Sequence, residues 1–348
     1  MASLTTAPLH LKSTVGVSDR VLVANQRRRA SRRRGGQIAR TLASAAIALL
    51  FFLPILWWAL ASIKPTTEIL AVPPKLFGFD PTLNWYRVVL GNANPDSFNL
   101  EQSGAVGRGS GGGTFYSIPY LRDSLIIGAG STLLVLLLAT PAAYALSRFR
   151  LRRRKDLAFW ILSQRMMPPI VAAFPLFWLF RSFGPWLAGG LELLRIPVLP
   201  DLVRGIQLID SYPGLILIHA AINVPLATLL LMSFFDEIPR DLDDAAMVDG
   251  ASRFVAFRQV ILNYVRGGLA ATAVLAFVFS WNEFLLTLVL TTGKIRTVPV
   301  ASSTFTTAFA TEWGYLAALG TASMVPIFVF ILLVQRHLVR GLTLGAVK

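Results

Sequence analysis

The stretch that decides the fold is DDAAMVDGASRFVAFRQVILN, residues 243–263, a charged segment between two long apolar runs. Aspartates crowd the start of a helical pattern, where they favour the positive end of the helix dipole. Gly250 is placed to end that helix, because glycine adopts the left-handed conformation without strain. Ser252 can cap a second helix. The stretch therefore predicts a water-compatible helix–Gly–helix hairpin in a chain that is 54% hydrophobic.

The second half of the hairpin predicts how it packs. Phe254, Phe257 and Ile261 recur at helical spacing and form an apolar stripe that we expect to face the rest of the protein, away from Arg253. A plain connection between two spans would explain the charges but not a pair of helices built in this way. Metal binding is disfavoured, because the acids of residues 241–250 lack the spacing of a calcium loop. We therefore interpret the hairpin as a docking element for a cytoplasmic partner.

Long apolar runs make up most of the remaining sequence. About 20 apolar residues cross the hydrocarbon core of a bilayer as a helix, and six runs reach that length. Prolines such as Pro141 and Pro225 interrupt several runs, which a bundle with an internal cavity tolerates. The sequence thus predicts an all-α membrane protein with six transmembrane helices. The predicted spans are residues 38–63, 121–146, 157–180, 212–235, 269–291 and 316–334.

The basic residues predict the orientation of these spans. If all predicted spans cross, three basic segments fall on the same side of the membrane, and that side is the cytoplasm. They are residues 25–40, residues 147–155 and the basic C-terminal segment. The net charge of +15 is concentrated beside apolar runs, where it fixes topology and attracts anionic lipid, so it does not indicate nucleic-acid binding. We expect residues 1–37 to form a basic cytoplasmic tail without fixed structure and residues 38–348 to form the transmembrane domain, with both termini cytoplasmic.

No stretch of the sequence predicts a nucleotide site or a catalytic centre. The glycine-rich segment 105–115 is interpreted as a surface insertion, because a phosphate loop needs Gly-Lys-Ser/Thr at the start of a helix. The chain has no cysteine, which excludes disulfides and thiolate chemistry. Its histidines are His10, His219 and His337, and the sequence shows no Ser/His/Asp arrangement. A membrane-embedded hydrolase is therefore disfavoured.

A small set of polar and aromatic residues lies inside the predicted spans. Charged groups at this depth are costly and usually face a cavity or a partner. One interpretation is that they lock the bundle through interhelical hydrogen bonds or an Arg–Glu pair. The other is that they line a path or a gate. The residues are Gln164, Arg165, Asn223, Trp281, Asn282 and Glu283.

Part of the hairpin carries a family pattern, formed by Asp244, Ala245, Ala246, Asp249, Gly250, Ala251 and Phe257. Together these residues resemble the EAA loop of permease subunits of binding-protein-dependent ABC importers, with an aspartate in place of the usual leading glutamate. The stretches 142–150, 165–177 and 281–290 are similar to the carbohydrate branch, the maltose-type small permease family. The resemblance covers the transmembrane domain except for residues 91–115 and 184–205, which look like extracytoplasmic insertions.

The resemblance implies the fold of an ABC type I importer permease, with residues 236–264 as the coupling loop. It implies a multi-pass protein of the bacterial plasma (inner) membrane that forms half of a translocation path. The implied partners are a second permease subunit, two ABC ATPase subunits and an extracytoplasmic solute-binding protein. The chain itself would be neither an enzyme nor a cofactor protein, since ATP and Mg²⁺ would be bound by the ATPase subunits.

The substrate class and the energy source each have an alternative. The resemblance implies a sugar or sugar-like solute, which includes oligosaccharides, monosaccharides and polyols, and glycerol phosphate is the alternative substrate. The alternative class is a self-contained secondary transporter or channel, which would run on an ion gradient and need no docking hairpin.

Overall fold

The computed structural model describes residues 15–91, 116–193, 205, 207–306 and 311–344. Every statement on structure below concerns these residues. The glycine-rich segment 105–115 lies outside them, as do residues 194–204 of the predicted insertion at 184–205.

The described chain is built from α-helices. Its elements in chain order are α1 (Val15–Ala61), α2 (Thr66–Ile69), α3 (Asn84–Val89), α4 (Ile118–Arg148), α5 (Arg154–Ser163), a 3₁₀ turn (Gln164–Met166), α6 (Pro169–Leu193), α7 (Tyr212–Asp236), α8 (Asp241–Val248), α9 (Arg253–Val255), a π-helical turn (Ala256–Ile261), α10 (Leu262–Tyr264), α11 (Arg266–Trp281), α12 (Leu285–Leu290), α13 (Val298–Ser303) and α14 (Trp313–Leu344).

The prediction of a multi-span helical membrane protein is confirmed. Five of the described helices are long and apolar enough to cross a membrane, and there are six crossings if the bent pair formed by Arg253–Tyr264 and Arg266–Trp281 counts as one span. The two members of this pair meet at an angle of 76°. The five are Arg40–Ala61, Ile118–Arg148, Pro169–Gly190, Tyr212–Asp236 and Trp313–Gln335.

The first helix begins earlier than the sequence predicted. The described chain forms two compact units that divide after Trp58, and α1 is helical from Val15 onward. We had expected no fixed structure before residue 38. Arginine is a good helix former and is the commonest residue of this stretch. The clustering of charge in the tail therefore did not predict that its backbone is helical.

Two predicted spans are broken in the structure. The third, predicted over 157–180 with prolines that interrupt it, is broken at Met167, which has an extended conformation (ψ 126°), because the residue before a proline avoids the helical region. A new helix then begins at Pro169. The fifth is interrupted between α11 and α12, where the Glu283 carboxylate accepts hydrogen bonds from the N–H groups of Leu286 (2.8 Å) and Thr287 (2.9 Å). These bonds cap the new helix.

Three apolar clusters hold the second unit together. The hairpin-side cluster contains Val135, Ala139, Ala143, Ala220, Ala227, Leu231, Phe235, Ile261, Val265 and Ala276. The distal cluster contains Ile127, Ala173, Phe180, Leu208, Leu215, Ile218, Leu286, Leu290 and Ile295. The loop cluster contains Trp85, Val88, Val89, Val298, Ala301, Phe305, Tyr315, Ala318 and Leu319. The loop cluster seats the segment before residue 92 against α13 and the start of α14.

Asp210 ties two loops together at the start of α7. Its carboxylate accepts hydrogen bonds from the Thr292 hydroxyl (2.6 Å) and from the N–H groups of Lys294 (3.0 Å) and Ile295 (2.9 Å). Its backbone has a φ of 52°, a left-handed conformation that aspartate tolerates better than most residues. Burial alone would raise the pKa of Asp210, but these hydrogen bonds outweigh it and hold the pKa below its ordinary value.

This lowered pKa predicts that the loop contact weakens in acid. A group with a depressed folded pKa stabilises the fold above its ordinary pKa, about 3.9 for aspartate, and loses that contribution as the pH falls further. Amide hydrogen exchange of Lys294 and Ile295, corrected for the intrinsic rate, should lose protection over that range. Asp210→Asn should remove the pH dependence. Protection that stays constant in the unsubstituted protein would contradict the assignment.

Candidate functional site

The turn of the hairpin depends on Gly250. The N–H of Ala251 donates to the carbonyl of Ala246 (3.0 Å), and the N–H of Gly250 donates to that of Met247 (3.1 Å). This pair of bonds ends α8 in a Schellman motif, which requires a left-handed residue, and Gly250 has a φ of 87°. Ser252 then caps α9 by accepting a bond from the N–H of Val255 (3.4 Å). Local sequence signals account for each of these features.

The hairpin exposes apolar side chains that the sequence placed differently. Phe257 and Ile261 pack in the hairpin-side cluster as predicted. The prediction for Phe254 is wrong, because its side chain is 68% exposed, and Val248 at the end of α8 is 86% exposed. The cause is the π-helical turn Ala256–Ile261. A π turn holds more residues than an α turn, so the residue before it no longer shares the face of those within it.

An ion pair that the sequence did not suggest fastens the hairpin to α4. Asp243 is 8% exposed, and its Oδ2 lies 2.9 Å from Nε of Arg148. The hydroxyl of Tyr144 donates to its Oδ1 (2.8 Å). Arg148 also donates to the carbonyl of Ile238 (2.9 Å). We call Tyr144, Arg148 and Asp243 the α4 clamp. Tyr144 and Asp243 are 99 residues apart in sequence, so no local pattern could reveal their contact.

A cavity of about 470 Å³ opens beside the α4 clamp. Most of its lining comes from the end of α4 and from the hairpin, and arginines outnumber acids there. This cavity therefore forms a positively charged recess next to the exposed face of α8. Its charged lining residues are Arg148, Arg150, Arg240, Asp243, Asp244 and Arg253.

Arg165 links the broken third span to α7. Its Nη1 donates to the carbonyl of Ile222 (2.8 Å) and to Oδ1 of Asn223 (3.3 Å), and its guanidinium lies 4.7 Å from the ring centre of Phe279. Pro225, which the sequence marked as an interruption of this span, lies inside the continuous helix α7. Asn223 is 2% exposed, whereas the Arg165 side chain reaches solvent-accessible surface at the break.

The remaining predicted residues of the spans occupy different environments. Gln164 and Asn282 are exposed. Trp281 is 3% exposed and packs on Phe277 at 5.5 Å between ring centres, so packing alone accounts for it. Glu283 caps α12 instead of pairing with Arg165, because the breaks in the third and fifth spans give each of them nearer backbone partners. An interhelical hydrogen bond joins Arg165 to Asn223, and the Arg–Glu pair of the bundle-locking interpretation is replaced by these contacts.

His219 is the polar residue of the spans that sequence reasoning passed over. It is 0% exposed, and its ring nitrogens lie 2.7 Å from Oγ of Ser280 and 2.9 Å from Oγ1 of Thr287. Glu283 lies 3.5 Å from Nε2. The structure thus brings serine, histidine and a carboxylate together, which the sequence did not show. Ser280 is only 3% exposed, so the group is buried inside the helix bundle. A histidine in an apolar run needs polar partners, and that was the available signal.

Comparison with known proteins decides the family. Residues 124–344 match the model of the binding-protein-dependent transport system inner membrane component. The chain belongs to this family. The trehalose transport system permease protein SugB of Mycobacterium tuberculosis is 34% identical over 299 residues, or 85% of this chain and 92% of that protein. The trehalose/maltose transport system permease protein MalG of Thermococcus litoralis is 29% identical over 304 residues, or 87% of this chain and 93% of that protein.

The fold of this inner membrane component is also found in a solved structure. A bacterial ABC transporter involved in the import of the acidic polysaccharide alginate contains a chain that aligns with a TM-score of 0.55 at 19% identity. The alignment covers 88% of this chain and 97% of that one. The family match includes α8, the α4 clamp and His219. These features therefore belong to the transport domain itself.

Proposed function

We propose that this chain is the permease subunit of an ATP-driven importer for a sugar or sugar-like solute. Relatives named for trehalose, maltose and diacetylchitobiose transport support the sugar class. The chain forms half of the translocation path beside a second permease and receives the solute from an extracytoplasmic binding protein. Two ATPase subunits bind ATP and Mg²⁺ and hydrolyse the nucleotide, and this chain catalyses no reaction. Both of its termini lie in the cytoplasm.

The observation that carries this proposal is the surface of the hairpin. Val248 and Phe254 are 86% and 68% exposed, although they are large apolar side chains at the tip of an otherwise charged element. Removing such surface from water stabilises a complex. Asp244 and Ala245 are also exposed, and they lie on α8 together with Val248. An ATPase subunit that covers α8 would bury these residues. The α4 clamp then connects that contact to a membrane span.

The polar residues at the helix breaks support a path. Gln164, Arg165 and Asn282 are exposed in the single chain, at a depth where contact with lipid would be costly. Facing a water-filled path shared with the second permease removes that cost. We therefore assign these residues to the path, with Asn223 and Glu283 behind them as supports.

The test is purification of the tagged full-length chain from the membranes of its own host. We expect an ABC ATPase and a second permease in the same complex, with vanadate-sensitive ATP hydrolysis. Identification of the molecule held by the co-purified binding protein distinguishes a sugar from glycerol phosphate. Proteoliposomes that contain this chain alone and accumulate a sugar on an ion gradient would replace the proposal with a self-contained secondary transporter.

A further inference from the structure

His219 contacts both halves of the broken fifth span. The first half, α11, ends at Trp281, and the second, α12, begins at Leu285. On α7, the Nδ1 of His219 lies 2.7 Å from the hydroxyl of Ser280 in α11. Its Nε2 lies 2.9 Å from the hydroxyl of Thr287 in α12. One buried side chain therefore bridges the interruption.

The protons of this group can be assigned from the hydroxyl groups. Thr287 donates its hydroxyl proton to Glu283 (2.8 Å), so its oxygen accepts from the Nε2–H of His219. In the neutral imidazole Nδ1 is then an acceptor, and the hydroxyl of Ser280 donates to it. The oxygen of Ser280 in turn accepts from Ser131 on α4 (2.8 Å). The result is a directed hydrogen-bond chain from Ser280 to Glu283. Ser131, whose hydroxyl also lies within hydrogen-bond distance of the carbonyl of Gly128 (3.1 Å), stands at its start.

The two halves of the fifth span, which this hydrogen-bond chain joins, belong to different packed regions. In α11, Ala276 belongs to the hairpin-side cluster, which also contains Ile261. In α12, Leu286 and Leu290 belong to the distal cluster, together with Ala173 of α6. The interruption after Trp281 removes the continuous helical hydrogen bonds that would otherwise couple the halves. The helices α4 and α7 pack in both clusters, and side-chain links couple α11 to α12 directly. His219 contributes one such link on each side of the break.

We propose that His219 is the positioning residue that transmits movement of α11 and the hairpin to α12 and the distal cluster. This inference rests on the proposed function, in which ATPase subunits move the hairpin. Hydrogen bonds inside a bundle have modest energies, so the link can hold the halves in register without making the bundle rigid. The link depends on the hydroxyl of Thr287 and not on its methyl group. Two substitutions of Thr287 separate those roles.

The test compares Thr287→Val with Thr287→Ser. Valine keeps the volume and removes the hydroxyl, whereas serine keeps the hydroxyl and removes the methyl. Because the chain has no cysteine, Leu288→Cys places one thiol on α12, at a position 44% exposed in the single chain. The labelling rate by N-ethylmaleimide is measured on the purified complex, without nucleotide and after trapping with ATP and orthovanadate. The readout is the ratio of the two rates.

We expect Thr287→Ser to keep the ratio and Thr287→Val to reduce the nucleotide effect about fivefold, the factor that goes with losing one ordinary buried hydrogen bond. His219→Phe should behave like Thr287→Val. If the complex with Thr287→Val does not assemble, Ser280→Ala breaks the opposite end of the hydrogen-bond chain. It should reduce the nucleotide effect by the same factor. Equal ratios in the valine and serine variants would overturn the inference, whether both are normal or both reduced. A complex without any nucleotide effect, even with Thr287 intact, would instead overturn the proposed function.

Discussion

Gly250→Val is expected to insert and fold in the membrane and yet lose most transport. A Cβ at this position meets no atom within 4 Å, so there is room for the added carbon. The cost comes from the backbone, because a β-branched residue held at a φ of 87° loses about 1–2 kcal/mol relative to its preferred conformation. Relief of that strain turns α8 and moves Val248 away from its partner. The measurement is sugar uptake and ATPase retention in membranes that contain equal amounts of each variant.

Gly250→Asn is the matched control. Asparagine also adds a side chain, but it adopts the left-handed conformation far more readily than valine. It should therefore retain most transport and most of the bound ATPase. Normal transport by Gly250→Val, with its ATPase still bound, would show that the hairpin is only a connection.

Arg148→Met is expected to have the largest effect on stability. The side chains of Arg148 and Asp243 are 6% and 12% exposed, and removing one partner of a buried ion pair costs about 3–5 kcal/mol because the other charge stays buried. The loss should release α8 from α4, which lowers both the unfolding temperature of the complex and its coupled ATP hydrolysis. Thermal unfolding and ATPase assays on the same preparation measure the two effects.

Two further variants test whether the effect of Arg148→Met comes from the α4 clamp or from the loss of any positive charge. Arg154→Met breaks the pair between Arg154 and Asp236, whose side chains are 36% and 41% exposed, and such exposed pairs contribute less than about 1 kcal/mol. The double variant Arg148→Met with Asp243→Leu should recover part of the lost stability, since apolar replacement of both buried partners is often tolerated. Equal effects of Arg148→Met and Arg154→Met would contradict the role of the clamp.

Local signals in the sequence predicted a multi-span helical protein and the hairpin turn. Apolar length indicated the spans, although the third crossing helix lies at Pro169–Gly190 and not at 157–180. Gly250 and Ser252 marked the turn, because each acts through its own backbone neighbours. Pro168 and Pro169 also carried a local signal for the break in the third span.

The contacts that organise the site depend on tertiary structure. The α4 clamp joins residues 99 positions apart, and the break in the fifth span needs the carboxylate of Glu283 to fold back onto Leu286 and Thr287. The exposure of Phe254 follows from a π-helical turn, which hydrophobic periodicity does not predict. His219 was visible as a lone histidine in an apolar run, but its partners lie on α11 and α12. These features require the fold before they can be recognised.

A single thiol at Val248 tests the central claim, that this hairpin is where the ATPase engages the permease. The chain has no cysteine, so Val248→Cys gives one reactive position on this subunit for a short maleimide–succinimide ester crosslinker. Lys75→Cys, in the loop predicted to lie outside the cell, is the control. We predict that Val248→Cys forms an adduct with an ATPase subunit and is not labelled by an impermeant maleimide on intact cells. Lys75→Cys should be labelled by the impermeant maleimide and should form no ATPase adduct. Labelling of Val248→Cys from outside, or an intact complex that gives no ATPase adduct, would contradict the account.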